Sequence, residues 1–369
     1  MTTLETRPEI IESPATEPGA TDTFVERLFG SVLAALDLQA VYLGDRLGYY
    51  RALAEGALTS TELAARTGTD ERYVREWLEQ QAVTGILVTD DRVADALARR
   101  YMLPAPYVAA LTDTLDLSHF APFVRFILGS LKQTDLMVEA FRTGGGVTWA
   151  QHGADLREGQ AAANRPLFLG PLGQEYLPSI SDVDSALRAG GRVADVGCGL
   201  GWSAIGIALA YPEATVDGYD VDGPSIEAAR RNAREAGVDD RVRFHTVDAA
   251  TMDGESYDAV FAFECIHDLP DPVGVLAAMR RLAGDAGVVV VMDERVAETF
   301  TAPGDDVERL MYGYSLVCCL ADGMAHGPSA GTGTVMRPST LRRYAVEAGF
   351  ADVEILDIDN DFFRFYRLR

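Results

Sequence analysis

Val193-Ala194-Asp195-Val196-Gly197-Cys198-Gly199-Leu200-Gly201-Trp202 decides how this chain is read. The apolar run Val193 to Val196 predicts a short buried strand. It ends in glycines at alternate positions, and Trp202 opens an apolar helical stretch through Ile205, Ile207 and Leu209. Strand, glycine turn and helix make the first half of a βαβ unit. Glycine serves where a backbone turns tightly and where a ligand must approach it without meeting a Cβ. The N-terminus of the following helix leaves unpaired N–H groups facing that ligand. The stretch therefore predicts a nucleotide-type binding turn.

Two ligand classes compete for such a turn. A dinucleotide fingerprint, G-x-G-x-x-G, needs a small residue at position 202, where helix and strand pack closely. Trp202 is the bulkiest choice, and Asp195 is no part of that fingerprint. D-x-G-x-G-x-G instead resembles the first motif of class I S-adenosylmethionine (SAM) dependent methyltransferases. The resemblance implies that Asp195 lies near the amino-acid end of SAM. It also implies that Gly197, Gly199 and Gly201 pass under the sulfur and ribose.

From residue 181 strand and helix patterns alternate, which predicts a parallel sheet. After the glycine turn come strands at Thr215 to Asp220, Val242 to Val247, Tyr257 to Ile266 and Val288 to Met292. Helices fall at Ser225 to Ala236, from Asp271-Pro272 to about Leu282, and at Thr340 to Ala348. The closing strands, Val353 to Ile358 and Phe362 to Leu368, are joined by a turn too short for a crossover, so the last runs antiparallel. That ending resembles the Rossmann-like seven-stranded methyltransferase sheet, an α/β fold.

Asp220 closes the second strand, where an acid accepts hydrogen bonds from both ribose hydroxyls, and Val221 beside it can pack on adenine. Helix capping is the plainer role for an acid there, and Asp222, before Gly223-Pro224, fits it better. Asp248 matches the family position that takes the adenine amino group, with Ala249 beside it; a solvated loop acid is the alternative. Phe263, ending the fourth apolar run, is assigned to the cofactor side. Glu264-Cys265-Ile266-His267-Asp268 follows. Ligands in such sheets bind outside the carboxyl ends of the strands, so His267 is expected to face the reaction site as general base. His-Asp here also resembles plant-type and bacterial small-molecule O-methyltransferases, in which the histidine deprotonates a substrate hydroxyl. Asp268 or Glu264 would orient the imidazole or hold its charge. The preferred reading needs no metal. An alternative takes His267, Asp268 and His326 as a two-histidine, one-carboxylate metal site for C-methylation of an α-keto acid.

The N-terminal half reads differently. Residues 1 to 22, rich in proline and acids, are expected to be a disordered tail. Residues 23–105 form a mainly helical winged-helix domain. Thr59-Ser60-Thr61-Glu62 starts a helix, Gly68 turns the chain, Asp70 to Gln81 is a second helix, and Ile86 to Ala94 suggests a hairpin. DNA binding is the obvious function for that motif, and a SAM-sensing transcription regulator is the corresponding alternative for the whole chain. Charge opposes both: residues 1–110 hold ten arginines against seventeen acids, a net of −7. The apolar helical pattern from Phe24 to Leu47 points to dimerisation instead, giving a homodimer. Residues 106–180, rich in aromatics such as Trp149 and Phe168, are read as a helical linker and substrate cap, or as plain core.

The chain of 369 residues carries a formal charge of −24, which disfavours nucleic acid and anionic membranes. The four cysteines show no zinc spacing and are read as reduced apolar fillers. With no signal-like start and no spanning apolar run, a cytoplasmic location is expected. From residue 24 to 369 the order of domains resembles actinobacterial and plant-type small-molecule methyltransferases, implying SAM at 181–369 and a small secondary-metabolite-like substrate. The glycine-rich segment Ala321 to Pro338 is expected to be a mobile lid over that substrate.

Overall fold

The computed structural model describes residues 19–90, 92, 95–254 and 256–369, in two compact units that divide between Met102 and Leu103. Residues 1–18 of the expected tail lie outside the described residues. Its last residues are helical, because α1 spans Ala20–Arg46. Phe24, Leu28, Phe29, Val32, Leu33 and Leu36 of α1 are exposed. α2 (Tyr49–Ala54), α3 (Ser60–Thr67) and α4 (Glu71–Val83) complete the helical part of this unit. A reciprocal capping box between Thr59 and Glu62 starts α3, and the Asp70 carboxylate caps α4. Trp77 anchors α4 by donating from Nε1 to the Ala40 carbonyl at 2.8 Å.

The arginines of α4 are spent locally. Arg75 pairs with Glu71 at 3.2 Å and Arg72 with Glu76 at 2.5 Å, so the helix presents no free basic face. The expected hairpin is displaced: β1 (Val88–Thr89) pairs antiparallel with β2 (Tyr101–Met102). Arg92 is exposed, whereas Tyr101 buries its ring and bonds Leu58 in both backbone directions. Burial of an aromatic outweighs the shorter return. Asp91, Val93 and Ala94 of the expected hairpin lie outside the described residues.

The second unit holds a seven-stranded sheet in the order β5-β4-β3-β6-β7-β9-β8. Its strands are β3 (Arg192–Val196), β4 (Thr215–Asp220), β5 (Val242–Thr246), β6 (Ala259–Phe263), β7 (Val288–Glu294), β8 (Val353–Ile355) and β9 (Phe363–Leu368). Only β9 runs against its neighbours. Each central strand is apolar on both faces. Val193, Phe261 and Val290 pack into one core layer, while Ala194, Val260 and Val289 pack into the other. The helices of 106–180 belong to this same unit, and Phe168, Leu172 and Leu177 share the first layer with the sheet.

Two strand ends differ from expectation, and both matter for the site. β6 stops at Phe263, because Glu264 takes a φ of 55°, the one positive value at a non-glycine among the described residues. β7 runs past Met292 through Asp293 and Glu294. β3 connects to β4 on one side and lies against β6 on the other, so the glycine turn sits where the winding reverses. The segment expected as a mobile lid begins as a helix, Leu320–Ala325, with Ala321 and Gly323 buried. Thr334 and Met336 beyond it are buried as well. Close backbone packing holds that helix down: a Cβ on Gly146 would meet the Ala321 carbonyl at 2.1 Å.

Candidate active site

A cavity of roughly 570 Å³ opens at the carboxyl ends of β3, β4, β5 and β6. Gly197, Gly199, Asp220, Val221, Asp248, Ala249 and Phe263 all line it, along with Glu264 and Asp268. The Asp220 carboxylate accepts from the Gly199 N–H at 2.9 Å through one oxygen and from the Asp222 N–H at 2.8 Å through the other. Each oxygen keeps a lone pair for a further donor. Burial pushes the Asp220 pKa up, so the ionised form gains from any ligand that donates to it. Asp248 caps the short turn Ala249–Thr251 by accepting from Ala250 N–H at 3.0 Å.

Two members of the glycine motif are not where they were expected. Asp195 is absent from the cavity wall. It is buried behind the turn, accepting from the Ser203 hydroxyl at 2.6 Å, and burial pushes its carboxyl up to about 7. It braces the first turn of the Trp202–Ala210 helix through that bond, and its other oxygen is buried without a hydrogen-bond partner. Gly201 is also off the wall: with φ at 81°, a Cβ there would come 2.5 Å from the Phe244 ring. Its job is helix-to-β5 packing. Trp202 is on the wall, its ring lying under the Arg165 guanidinium at 4.4 Å.

His267 is the larger correction. It is 2% exposed and does not line the cavity. Its Nδ1 lies 2.8 Å from an Asp293 oxygen and 2.9 Å from a Glu294 oxygen, and its Nε2 lies 3.0 Å from Asp268 Oδ1. Burial acts to lower its pKa, but Asp268, Glu294 and Asp293 together hold it well above the ordinary histidine value. Both ring nitrogens are therefore occupied, and the imidazole stands as a cation. Asp268 is the member of this cluster that reaches the cavity. Glu264, the other candidate for orienting the imidazole, instead accepts from the Asn164 amide at 2.8 Å. That task falls to Asp293 and Glu294, whose only signal in the sequence is a pair of acids closing an apolar strand.

His326 does not complete a metal set. It is 54% exposed in its side chain and faces Asp322 at 3.8 Å. Cys319 takes its place: the ligand atoms of His267, Asp268 and Cys319 lie within 4.8 Å of one another. A second such group joins His267 to Asp293 and Glu294. Opposite the glycine turn, the Ala154–Leu169 helix contributes Arg157, Gln160, Asn164 and Phe168 to the wall, and Trp149 precedes it. Arg157 pairs with Asp222 at 2.8 Å across that cavity, and Asp322 accepts from the Trp149 N–H at 2.6 Å. Burial lifts the Asp322 carboxyl to about 7. Seven acids line the cavity, Asp220, Asp222, Asp248, Glu264, Asp268, Asp271 and Asp322, against one arginine and one histidine.

Comparison with known proteins agrees with this geometry. Residues 187–322 match the model of a methyltransferase domain, and residues 34–113 match an Rv2258c-like winged HTH domain. The chain carries a SAM-type methyltransferase domain behind a winged helix-turn-helix domain. Over 150 residues it is 33% identical to 27-O-demethylrifamycin SV methyltransferase of Amycolatopsis mediterranei, covering 39% of this chain and 55% of that protein. The chain thus spans little more than half the length of that relative. Indolepyruvate C-methyltransferase of Streptomyces griseus is 28% identical over 284 residues, 74% of this chain and 76% of its own. Human N-acetylserotonin methyltransferase, solved with SAM, superposes with a TM-score of 0.70 at 16% identity, covering 97% of this chain and 99% of its own.

The methyltransferase domain fits the cofactor of its fold. A Cβ on Gly199 would meet nothing within 4 Å, so the turn is open toward the cavity. The volume is within the range of small-molecule sites, and Asp220 ends β4 while Asp248 follows the adjacent β5 by two residues. Replacing Asp220 with Ala removes both carboxylate oxygens that the turn positions on the cavity wall. We expect calorimetry to show SAM and S-adenosylhomocysteine (SAH) binding at least tenfold more weakly to Asp220→Ala. Binding of NAD by the unaltered protein, with none of SAM, would contradict the assignment.

Proposed function

We propose that this chain transfers the methyl group of SAM to an oxygen of a small secondary-metabolite-like molecule. The observation that carries the reading is Asp268, placed on the cavity wall with the acid-flanked His267 behind it. Asp195 and Gly201 support the turn from outside, while Gly197, Gly199, Asp220, Val221, Asp248, Ala249 and Phe263 hold the cofactor. SAM supplies an electrophilic methyl on a sulfonium when bound. The residues of this chain align the acceptor with it, and placement alone supplies much of the rate.

A hydroxyl is a poor nucleophile at neutral pH, which is where a proton acceptor at the wall counts. Asp268 takes the acceptor's proton, and His267 and its carboxylates absorb the change in charge. The acid-rich wall would favour a cationic group in the cavity without reorganising. Removing the imidazole itself would leave Asp293 buried without its compensating charge, a loss of about 3–5 kcal/mol of stability. The informative variant is therefore Asp268→Asn. Turnover should fall roughly a hundredfold while SAH affinity stays within a few-fold. Unchanged turnover would leave placement as the whole mechanism.

A second reading, metal-assisted C-methylation, draws on the His267, Asp268 and Cys319 cluster and on the similarity to the indolepyruvate enzyme. A metal there would acidify the carbon beside a chelating keto acid. Metal analysis of protein prepared without a histidine tag, with assays in chelator, separates the two. We expect substoichiometric metal and undiminished activity; stoichiometric iron, zinc or nickel with chelator-sensitive turnover would favour the second.

The exposed apolar stripe of α1 supports a homodimer rather than a DNA reader, in keeping with the self-neutralised arginines of α4. Among the described residues no helix is long and apolar enough to cross a membrane. Light scattering at micromolar concentration should give twice the chain mass, unchanged when duplex DNA is added at low salt. A monomer, or a DNA-dependent mass, would refute this.

A further inference from the structure

Part of the cavity wall belongs to none of the residues assigned to the cofactor. Trp149, Leu269, Pro270 and Asp322 line it around Asp268, on the segment that follows β6. That end is firmly built. The Leu320–Ala325 helix lies directly on the segment, since a Cβ on Gly323 would come 2.9 Å from the Asp268 carbonyl oxygen. Val147 N–H donates to the Ala321 carbonyl at 2.9 Å, and Trp149 N–H to Asp322 Oδ1 at 2.6 Å. The Asp322 carboxylate is thereby oriented through one oxygen, and its side chain keeps 19% of its surface open. Trp149, Leu269 and Pro270 supply apolar surface beside it.

Charge then decides what this end accepts. Among the described residues no arginine or lysine pairs with Asp322. His326 is 3.8 Å from the oxygen that Trp149 already holds, too far for a hydrogen bond, and it stands largely in solvent, where an ion pair contributes little. Arg157, the one arginine on the wall, is engaged by Asp222. Burial and the charge of Asp268 both disfavour an ionised Asp322. An anionic ligand would therefore meet carboxylates at Asp268 and Asp322 with no cation to offset them. A neutral ligand would leave Asp322 uncompensated. An ammonium group brings both the missing charge and three donors to an acceptor already held in place.

We propose that the methyl acceptor is a hydroxyl compound that also carries a basic amine, with Asp322 binding the ammonium and Asp268 facing the hydroxyl. This rests on the SAM reading above, narrows its acceptor, and is incompatible with the α-keto acid of the second reading. Three phenols of similar size that differ mainly in charge serve as probes: tyramine, 4-ethylphenol and 4-hydroxyphenylacetate. Each is titrated calorimetrically into the protein alone and into the protein with SAH, whose own binding reports separately on the SAM reading. Tyramine should bind about tenfold or more tightly than 4-ethylphenol, and 4-hydroxyphenylacetate more weakly than either. Asp322→Asn keeps an acceptor for the Trp149 N–H and removes the charge. It should bring tyramine to within about threefold of 4-ethylphenol, with SAH affinity and melting temperature little changed. Tyramine undetected or no tighter than 4-ethylphenol, 4-hydroxyphenylacetate tighter than tyramine, or an amine preference that survives in Asp322→Asn would each overturn the proposal. A marked loss of SAH affinity in that variant would overturn it too, since Asp322 would then belong to the cofactor.

Discussion

A cation enclosed by acids is the constraint on which the second unit depends. Asp293 and Glu294 are almost inaccessible: burial and the neighbouring Asp293 push the Glu294 carboxyl well up, whereas Asp293 is held below the usual carboxylate value against its burial, and a buried ionised carboxylate tolerates that only beside a compensating charge. His267 supplies it, between the ends of β6 and β7, with Asp268 on its other nitrogen. The arrangement needs β7 next to β6 and β6 next to β3, which is the order the sheet adopts. Glycine turn, imidazole and acids then share one end of the sheet. Reversing a single strand would strand a charge in the core.

Features that depend on near neighbours were legible in the sequence. The glycine turn, the alternating strands and helices and the antiparallel close are local patterns, and the acids Asp220 and Asp248 follow from them. Asp293 and Glu294 were missed because their partner is far along the chain, His267 for both. Read locally, they merely end a valine-rich run. Asp195 is buried off the cavity wall, and its spacing in the motif does not report which side of a strand end is dry. Cys319 looked like a small filler, and it does pack with Phe126 and Leu156. Its second neighbour, His267, could not be seen without the fold.

The far wall of the cavity did carry a signal. Arg157, Gln160, Ala161, Asn164 and Phe168 are spaced by three, four, seven and eleven from the first, one face of a single helix. A stripe mixing an arginine, two amides and an aromatic is neither a core face nor an ordinary solvated one. In the sequence it was masked by the aromatics around it, which pattern alone cannot sort into core and wall. The displaced wing is a similar case: β1 had two possible partners, and only burial of Tyr101 distinguishes them.

The acid-rich wall couples the binding of a cation to protons. Burial lifts the carboxyls of Asp220, Glu264 and Asp322, so part of the wall is biased toward its neutral forms. A cation entering beside them favours the ionised forms, so its binding releases protons and tightens as pH rises through the range in which these groups titrate. Enclosure keeps that coupling from being screened away as it would be in open solvent.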